Sequence, residues 1–231
     1  MASRATSGGS NVDATLTALD ARFQENPSDT AAFEALEEAH FLAGEWPELV
    51  ALYERRLESP DLSAEQRAGA RARVVLRLAQ VQEERCLDLD AAQAGYEEAV
   101  ALDPGHRPAL VQLRGLYATR ERWDRYLALT QQEADLPMRP FERAAFFTEV
   151  GEVWLRKLGD AQQAVAQFEF ALEADAGHVE ALLGLAEAHE KLRAPEQAAL
   201  ALGRAIDKLR GAERARALAS LGRLYASALD Q

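Results

Sequence analysis

The segment Leu87–His106 (LDLDAAQAGYEEAVALDPGH) realigns with Gly159–His178 (GDAQQAVAQFEFALEADAGH), 72 positions further on. Leu78, Ala79 and Val81 match Val150, Gly151 and Val153 at the same offset. A second pair, Gly44–Glu58 and Arg120–Ala134, aligns at roughly 77–78 positions. Two kinds of unit therefore alternate, each of about 36 residues. A chain built this way stacks one supersecondary motif on copies of itself, because a single copy cannot bury its own apolar face.

Within each unit one order of residues returns: large apolar, two residues, apolar, small, two residues, large. It reads Phe147, Val150, Gly151, Trp154 and again Leu218, Leu221, Gly222, Tyr225. Further copies are Leu182, Leu185, Ala186, His189 and Val75, Leu78, Ala79, Gln82, with weaker ones at Leu110, Leu113, Arg114, Tyr117 and Phe33, Leu36, Glu37, His40. Spacings of three and four put these residues on one helical face. The small residue admits a neighbouring helix and the large one fills the space beside it. A second helix follows, patterned Ala92, Tyr96, Ala99, then Ala164, Phe168, Ala171, then Ala198, Leu202, Ala205. Asp103-Pro104-Gly105 and Asn26-Pro27-Ser28 mark stops, since proline cannot continue a helix. No period-2 alternation is sustained, so strands are not expected.

The order W-x2-L-G-x2-Y, then A-x3-F, then P, in a 34-residue helix–turn–helix, is that of the tetratricopeptide repeat, which this sequence resembles from about Asn11 to the C-terminus. The resemblance implies an all-α fold, a right-handed superhelical solenoid of antiparallel helix pairs. The patterns place pairs at 30–58, 70–103, 107–135, 142–175 and 179–209, with a lone second helix at 12–25 and a lone first helix at 213–229. Residues 11–231 read as one solenoid, and the Gly/Ser-rich residues 1–10 as a flexible tail. Departures from the pattern are Glu37 and Arg114 in place of the small residue and Thr130 in place of the aromatic. The second and fourth pairs also carry one extra residue in their internal turn. Asp90-x-x-Gln93, Asp160-x-x-Gln163 and Ser63-x-x-Gln66 resemble capping boxes, and Pro47 and Pro195 suit a first helical position.

Composition narrows the function. A net charge of −12 repels nucleic acid and anionic membranes at long range. The single Cys cannot close an internal disulfide, which fits a reducing compartment. No window reaches the roughly 18–20 apolar residues of a membrane span, and neither a secretory signal nor a lipidation motif is visible. The expected location is the cytoplasm. Abundant Arg and Ala beside few Lys point to a GC-rich bacterial genome.

Stacked pairs leave one inner surface lined by first helices. Residues one place past the large apolar position should face it: Glu34, Leu76, Val111, Thr148, Leu183 and Ala219. Four places further come Glu38, Gln80, Gly115, Glu152, Glu187 and Arg223, followed near the rim by Glu84, Arg156 and Lys191. Leu76, Val111 and Leu183 make a candidate apolar floor, and the charged residues would select a basic or mixed-charge protein segment. The tetratricopeptide subfamily that grips a chaperone carboxylate uses Lys, Asn and Arg at such positions; Glu34 and Glu38 disfavour that ligand here. Phe170 stands where the copy 72 residues earlier has Glu98, a position expected to face solvent on the outer helix, and is a candidate outer-face anchor. Trp46, Trp123 and Trp154 read as packing residues. His40 and His189 read as half-buried, and His106 and His178 as lying near helix starts. Cys86 reads as a small hydrophobe. No metal spacing, phosphate loop or nucleophile elbow is present. The sequence therefore predicts a non-catalytic, cofactor-free interaction scaffold, with self-assembly through its terminal helices as the alternative.

Overall fold

The computed structural model describes residues 7–63 and 67–229. Its helices are α1 (Ser7–Glu25), α2 (Thr30–Ala43), α3 (Trp46–Leu57), α4 (Ala68–Glu84), α5 (Leu89–Leu102) and α6 (Arg107–Thr119). They continue as α7 (Trp123–Ala134), α8 (Pro140–Val153), α9 (Ala161–Ala174), α10 (Val179–Lys191), α11 (Pro195–Lys208) and α12 (Gly211–Leu229). No strand occurs among the described residues. Each predicted pair is present within a few residues of its expected bounds. The sequence reads 11–231 as one solenoid, whereas the structure divides into two compact units, Met1–Glu133 and Ala134–Gln231. The connection that separates them carries Pro137 and leads into Pro140, which interrupt helical hydrogen bonding. Helix α1 starts at Ser7, so Ser7–Ser10 are helical rather than tail; Met1–Thr6 lie outside the described residues.

The turns inside the pairs follow the residue count. In three of them a backbone N–H five residues on closes the helix end: Glu45 to His40 O, Arg122 to Tyr117 O and Ala194 to His189 O, at 3.0, 2.8 and 2.9 Å. In the two pairs with an extra residue the closing bond spans six, Asp88 to Gln82 O at 2.8 Å and Asp160 to Trp154 O at 2.9 Å. The α8–α9 pair absorbs its extra residue as a π-helical turn, Trp154–Leu158, a rare form that occurs mostly as a single turn. All five turns pass through a left-handed residue: Gly44, Leu87, Glu121, Gly159 and Arg193. Asp88, not the predicted Asp90, caps α5 by accepting from Ala91 N–H at 3.0 Å, while Asp160 caps α9 as expected. The Ser63 hydroxyl donates to Pro60 O at 2.7 Å and does not cap α4, whose N-cap is Arg67.

Close approach at the small positions organises each unit. In the second unit the fully buried Phe168 ring of α9 lies between Gly151 of α8 and Gly184 of α10. A Cβ on Gly184 would stand 2.4 Å from that ring, and one on Gly151 2.7 Å. In the first unit Gly95 of α5 sits on Ala79 of α4, where a Cβ would come within 2.8 Å of the alanine methyl. Around Phe168 gather Phe147, Val150, Leu155, Leu172, Leu182, Leu185 and Leu202, the core of the second unit. In the first, Phe23, Phe33, Leu36, Leu49 and Tyr53 form a core that joins α1, α2 and α3.

Where the small residue is absent, polar groups span the wider gap. Glu37 accepts from the Tyr53 hydroxyl at 2.5 Å and from Arg77 at 2.9 Å. Buried Arg114 donates from Nε to Glu133 at 2.9 Å and from Nη1 to the Tyr126 hydroxyl at 3.0 Å. Thr130, buried, turns its hydroxyl onto Leu127 O at 2.7 Å. Tyr96 and Tyr117 likewise donate to Glu83 and Glu97, at 2.6 and 2.7 Å. Burial first, then the neighbouring carboxylate, raises each phenol, that of Tyr117 to about 12.

The connection after α3 is pinned by Asp61. Arg56 donates from both terminal nitrogens to its two oxygens, at 2.7 and 2.9 Å, and reaches Pro27 O at 3.2 Å. Ser28 donates to the same carboxylate at 2.9 Å, and Ser59 also bonds it. The Arg56 hydrogen bonds outweigh burial and hold the Asp61 carboxyl well below the usual range.

Two outcomes follow from this packing. Gly184→Ala drives a methyl into a boxed ring and should destabilise the second unit by about 1–3 kcal/mol, outweighing the roughly 1 kcal/mol of helix propensity gained; chemical denaturation measures it, and combination with Phe168→Leu should recover part of the loss. Asp61→Asn should cost about 1.5–3 kcal/mol at neutral pH, the worth of hydrogen bonds to a charged group. Because the folded-state value is depressed, this stabilisation is complete above the unfolded carboxyl's value near 4 and fades as pH falls through the folded one. Unfolding followed between pH 5 and 2 should therefore show a steeper loss in the wild type than in Asp61→Asn.

Candidate protein-binding surface

First helices α8, α10 and α12 line an open face of the second unit. Between α8 and α10 lies a cleft of about 630 Å³, bordered by Phe141, Ala145, Thr148, Glu149, Glu152, Val179 and Glu180. Between α10 and α12 lies another of about 500 Å³, bordered by Val179, Glu180, Leu183, Glu187, Glu190, Arg216 and Arg223. Val179 and Glu180 border both, so the two clefts adjoin. Two apolar side chains stand open to solvent there, Phe141 at 69% and Leu183 at 36% exposed. Phe141 is on the first turn of α8, one position after Pro140, a proline that fits a helix start.

Carboxylates dominate this face. The α8–α10 cleft is bordered by Glu149, Glu152, Asp175 and Glu180, with no Lys or Arg on its lining. His178 lies between Asp175 and Glu180, 4.0 and 3.7 Å from their oxygens. Arg156 reaches Glu152 at 2.7 Å and Glu187 at 3.2 Å, and Lys191 meets Glu187 at 3.7 Å. These bridges lock the deeper carboxylates and leave the face as a whole negative.

The first unit holds a smaller cleft of about 400 Å³ between α2 and α4. Glu34, Glu38, Gln80, Glu84, Arg77 and Phe41 border it. Phe41 packs edge-on against Trp46, their centroids 5.6 Å apart, and the Arg85 guanidinium covers both rings, 5.9 and 5.1 Å from their centroids.

The predicted residues divide accordingly. Thr148, Glu152, Leu183 and Glu187 border the second unit's clefts, and Glu34, Glu38 and Gln80 that of the first. Val111 is exposed but borders none of these clefts. Leu76 is only 7% exposed and belongs to core packing, not to an open floor. Thr148 is buried as well, its hydroxyl donating to Ala144 O at 2.7 Å, so it shapes the cleft through its backbone position. Phe170 is exposed on α9, yet it leans on Phe147 with ring centroids 5.4 Å apart. Phe141 escaped the sequence reading because it precedes the first repeat position; its signal was an aromatic directly after a helix-starting proline. Cys86 is exposed at a turn, not packed as a small hydrophobe. His189 is half-buried, and burial lowers its pKa. His106 accepts from Ala109 N–H at 3.3 Å at the start of α6.

Among the described residues no group of three His, Cys, Asp or Glu side chains is arranged to hold a metal ion. No described helix is long and apolar enough to cross a membrane.

The sequence profile described as tetratricopeptide repeat matches residues 155–221, which run from the π-helical turn after α8 into the middle of α12. No curated protein matches the sequence. Among solved structures, YrrB, described as a TPR protein with an unusual peptide-binding site, has a TM-score of 0.61 at 18% identity, covering 88% of this chain and 97% of its own. The MamA protein has a TM-score of 0.57 at 16% identity, covering 78% and 91%. A further MamA structure, of the AMB-1 form, reaches 0.56 at 20%, covering 80% and 95%. At these identities the likeness is one of fold.

The two leucines provide a check on the assignment of inner face and core. Leu183→Glu should leave melting within a degree or two of wild type, whereas Leu76→Glu should cost about 3–5 kcal/mol, as an uncompensated buried charge does. Thermal unfolding followed by circular dichroism separates them.

Proposed function

We propose that this chain, a tetratricopeptide-repeat protein in its fold and in the family match of residues 155–221, is a non-catalytic scaffold that holds a segment of another protein on its first-helix wall. The adjoining clefts of α8, α10 and α12 carry the reading: two open apolar side chains, Phe141 and Leu183, set in a field of carboxylates. Apolar anchors supply affinity when buried, at about 25 cal/mol per Å². The charges around them select the sign of the partner and speed its encounter. A basic or mixed-charge segment with one or two apolar anchors fits this wall, extended or helical. Because the helices are ordered beforehand, binding costs little conformational entropy on this side. The description of YrrB as a peptide-binding TPR protein supports the class of function, since the two share a fold. No cofactor is required. We place the protein in the bacterial cytoplasm, consistent with its unpaired cysteine and its Arg-rich, Lys-poor composition.

Affinity capture with tagged protein tests this. Partners retained by the wild type should be lost with Phe141→Ser and Leu183→Glu, and retained with Leu200→Glu, which alters an exposed outer residue of α11. Elution should come early in a salt gradient. Equal retention by all four proteins, with melting curves unchanged, would overturn the assignment to this wall.

A further inference from the structure

Helix α12 bears a complete first-helix signature whose seam is open. In α8 the equivalent residues are covered by α9: Phe147 is 7% exposed, and the site of a Gly151 Cβ is filled by the Phe168 ring. In α10, Leu182 and Ala186 are buried in the same way. On α12, Leu218 is 47% exposed, Tyr225 is exposed, and a Cβ on Gly222 would meet nothing within 4 Å. Leu218, Gly222 and Tyr225 follow one another at four and three residues and so form a single stripe. Leu221 and Leu224, beside it, already pack on the core.

Helix α1 stands at the matching second-helix place and keeps its small and large positions at Ala18 and Leu19, while Thr15 and Arg22 replace two alanines of the pattern. Aligning Asn26-Pro27-Ser28 with Asp103-Pro104-Gly105 places Thr15, Ala18, Leu19 and Arg22 at the positions of Ala92, Gly95, Tyr96 and Ala99. In the α4–α5 pair those residues face the first helix, Gly95 directly on Ala79. On α1, Ala18 is exposed, Leu19 is half-exposed with its other side on the core of the first unit, and Arg22 is exposed and paired with Asp29 at 2.6 Å. The charges are complementary. Helix α12 carries Arg214, Arg216 and Arg223 against one acid, Glu213, while α1 carries Asp13, Asp20 and Glu25 against one base, Arg22.

We propose that α12 of one copy packs antiparallel on α1 of another, rebuilding between two molecules the helix pair that α4 and α5 form within one. Gly222 seats against Ala18 as Ala79 does against Gly95, and Leu218 and Tyr225 flank Leu19. The contact joins unlike faces, so it propagates head to tail rather than closing by a two-fold axis. Its apolar contacts, Leu218, Gly222 and Tyr225, lie outside the lining of the groove, whereas Arg216 and Arg223 border both surfaces.

The test uses the whole chain and two variants at exposed positions. Gly222→Trp blocks α12 but leaves α1 open; Ala18→Trp does the reverse. Light scattering across a wide concentration range should show the wild type growing from monomer to multiples of its mass. Each variant alone should remain monomeric, and an equimolar mixture should form a 1:1 complex through the one α12 and one α1 left open. Circular dichroism checks that both variants keep wild-type helicity, and Leu218→Gln and Ala18→Gln stand in for either that does not. Added salt should shift the wild type toward monomer. A wild type monomeric at every concentration would overturn the proposal. So would an Ala18→Trp protein that pairs with itself, since that outcome means α12 meets α12, or a mixture that stays monomeric.

Discussion

The structure depends on how closely a second helix approaches its first. Phe168 can stand between α8 and α10 only because Gly151 and Gly184 offer no side chain there. Close approach of this kind lets one aromatic ring serve two interfaces at once, within its own pair and toward the next first helix. Interiors pack at crystalline density, so a methyl added at either glycine has nowhere to go. The same geometry in miniature joins Gly95 to Ala79 in the first unit. Glycine in mid-helix weakens the helix itself by about 1 kcal/mol, and close packing offsets that loss.

Once the second helices have taken the packing, the opposite face of the first helices stays open to solvent at residues such as Phe141 and Leu183. In the second unit this face has apolar points within an acidic surround. The acids are not all equivalent. Glu152 and Glu187 are both paired with Arg156, at 2.7 and 3.2 Å, which partly neutralises the middle of the wall. Where Glu37 and Arg114 replace the small residue, hydrogen-bonded carboxylates, tyrosines and guanidinium groups fill the wider gap. These bridges are fully satisfied: no buried side-chain polar atom among the described residues lacks a partner. A satisfied polar seam holds geometry without the close contact that a glycine allows.

Most of the fold was legible because a repeat states its rule several times. The two lengthened turns and the approximate places of the helices followed from aligning copies, whereas the start of α1 at Ser7 did not. The inserted residue showed in the sequence, but its resolution as a π-helical turn did not, since the choice depends on how Trp154 and Leu155 pack. Leu76 shows the limit at the surface. A one-residue step past the large apolar position leads to an open side chain at Leu183, yet at Leu76 it leads to a buried one. Phe141 lies outside the repeated core, where alignment has nothing to compare. The Asp61 box joins residues from two connections and has no periodic signal at all. Tertiary polar networks of that kind depend on loops, and a repeat pattern does not constrain loops.

A repeat of this type offers two kinds of surface, and their chemistry differs here. Along the stack, the inner wall faces sideways and can take a foreign segment without disturbing any helix pair. At the end of the stack, α12 presents a first-helix seam of the kind that packing buries at Phe147 and Leu182. Leaving Leu218 and Tyr225 on a seam exposed to water forgoes burial that Phe147 and Leu182 obtain within the chain. The charge on α12 runs against the acidity of the molecule as a whole, and the charge on α1 runs with it. In a protein of net charge −12, like faces of two copies repel at long range, so an arginine-bearing helix is the surface on which a second copy can approach. Electrostatics and seam geometry thus favour the same pairing of unlike helices, and the seam itself, Leu218, Gly222 and Tyr225, lies apart from the lining of the wall.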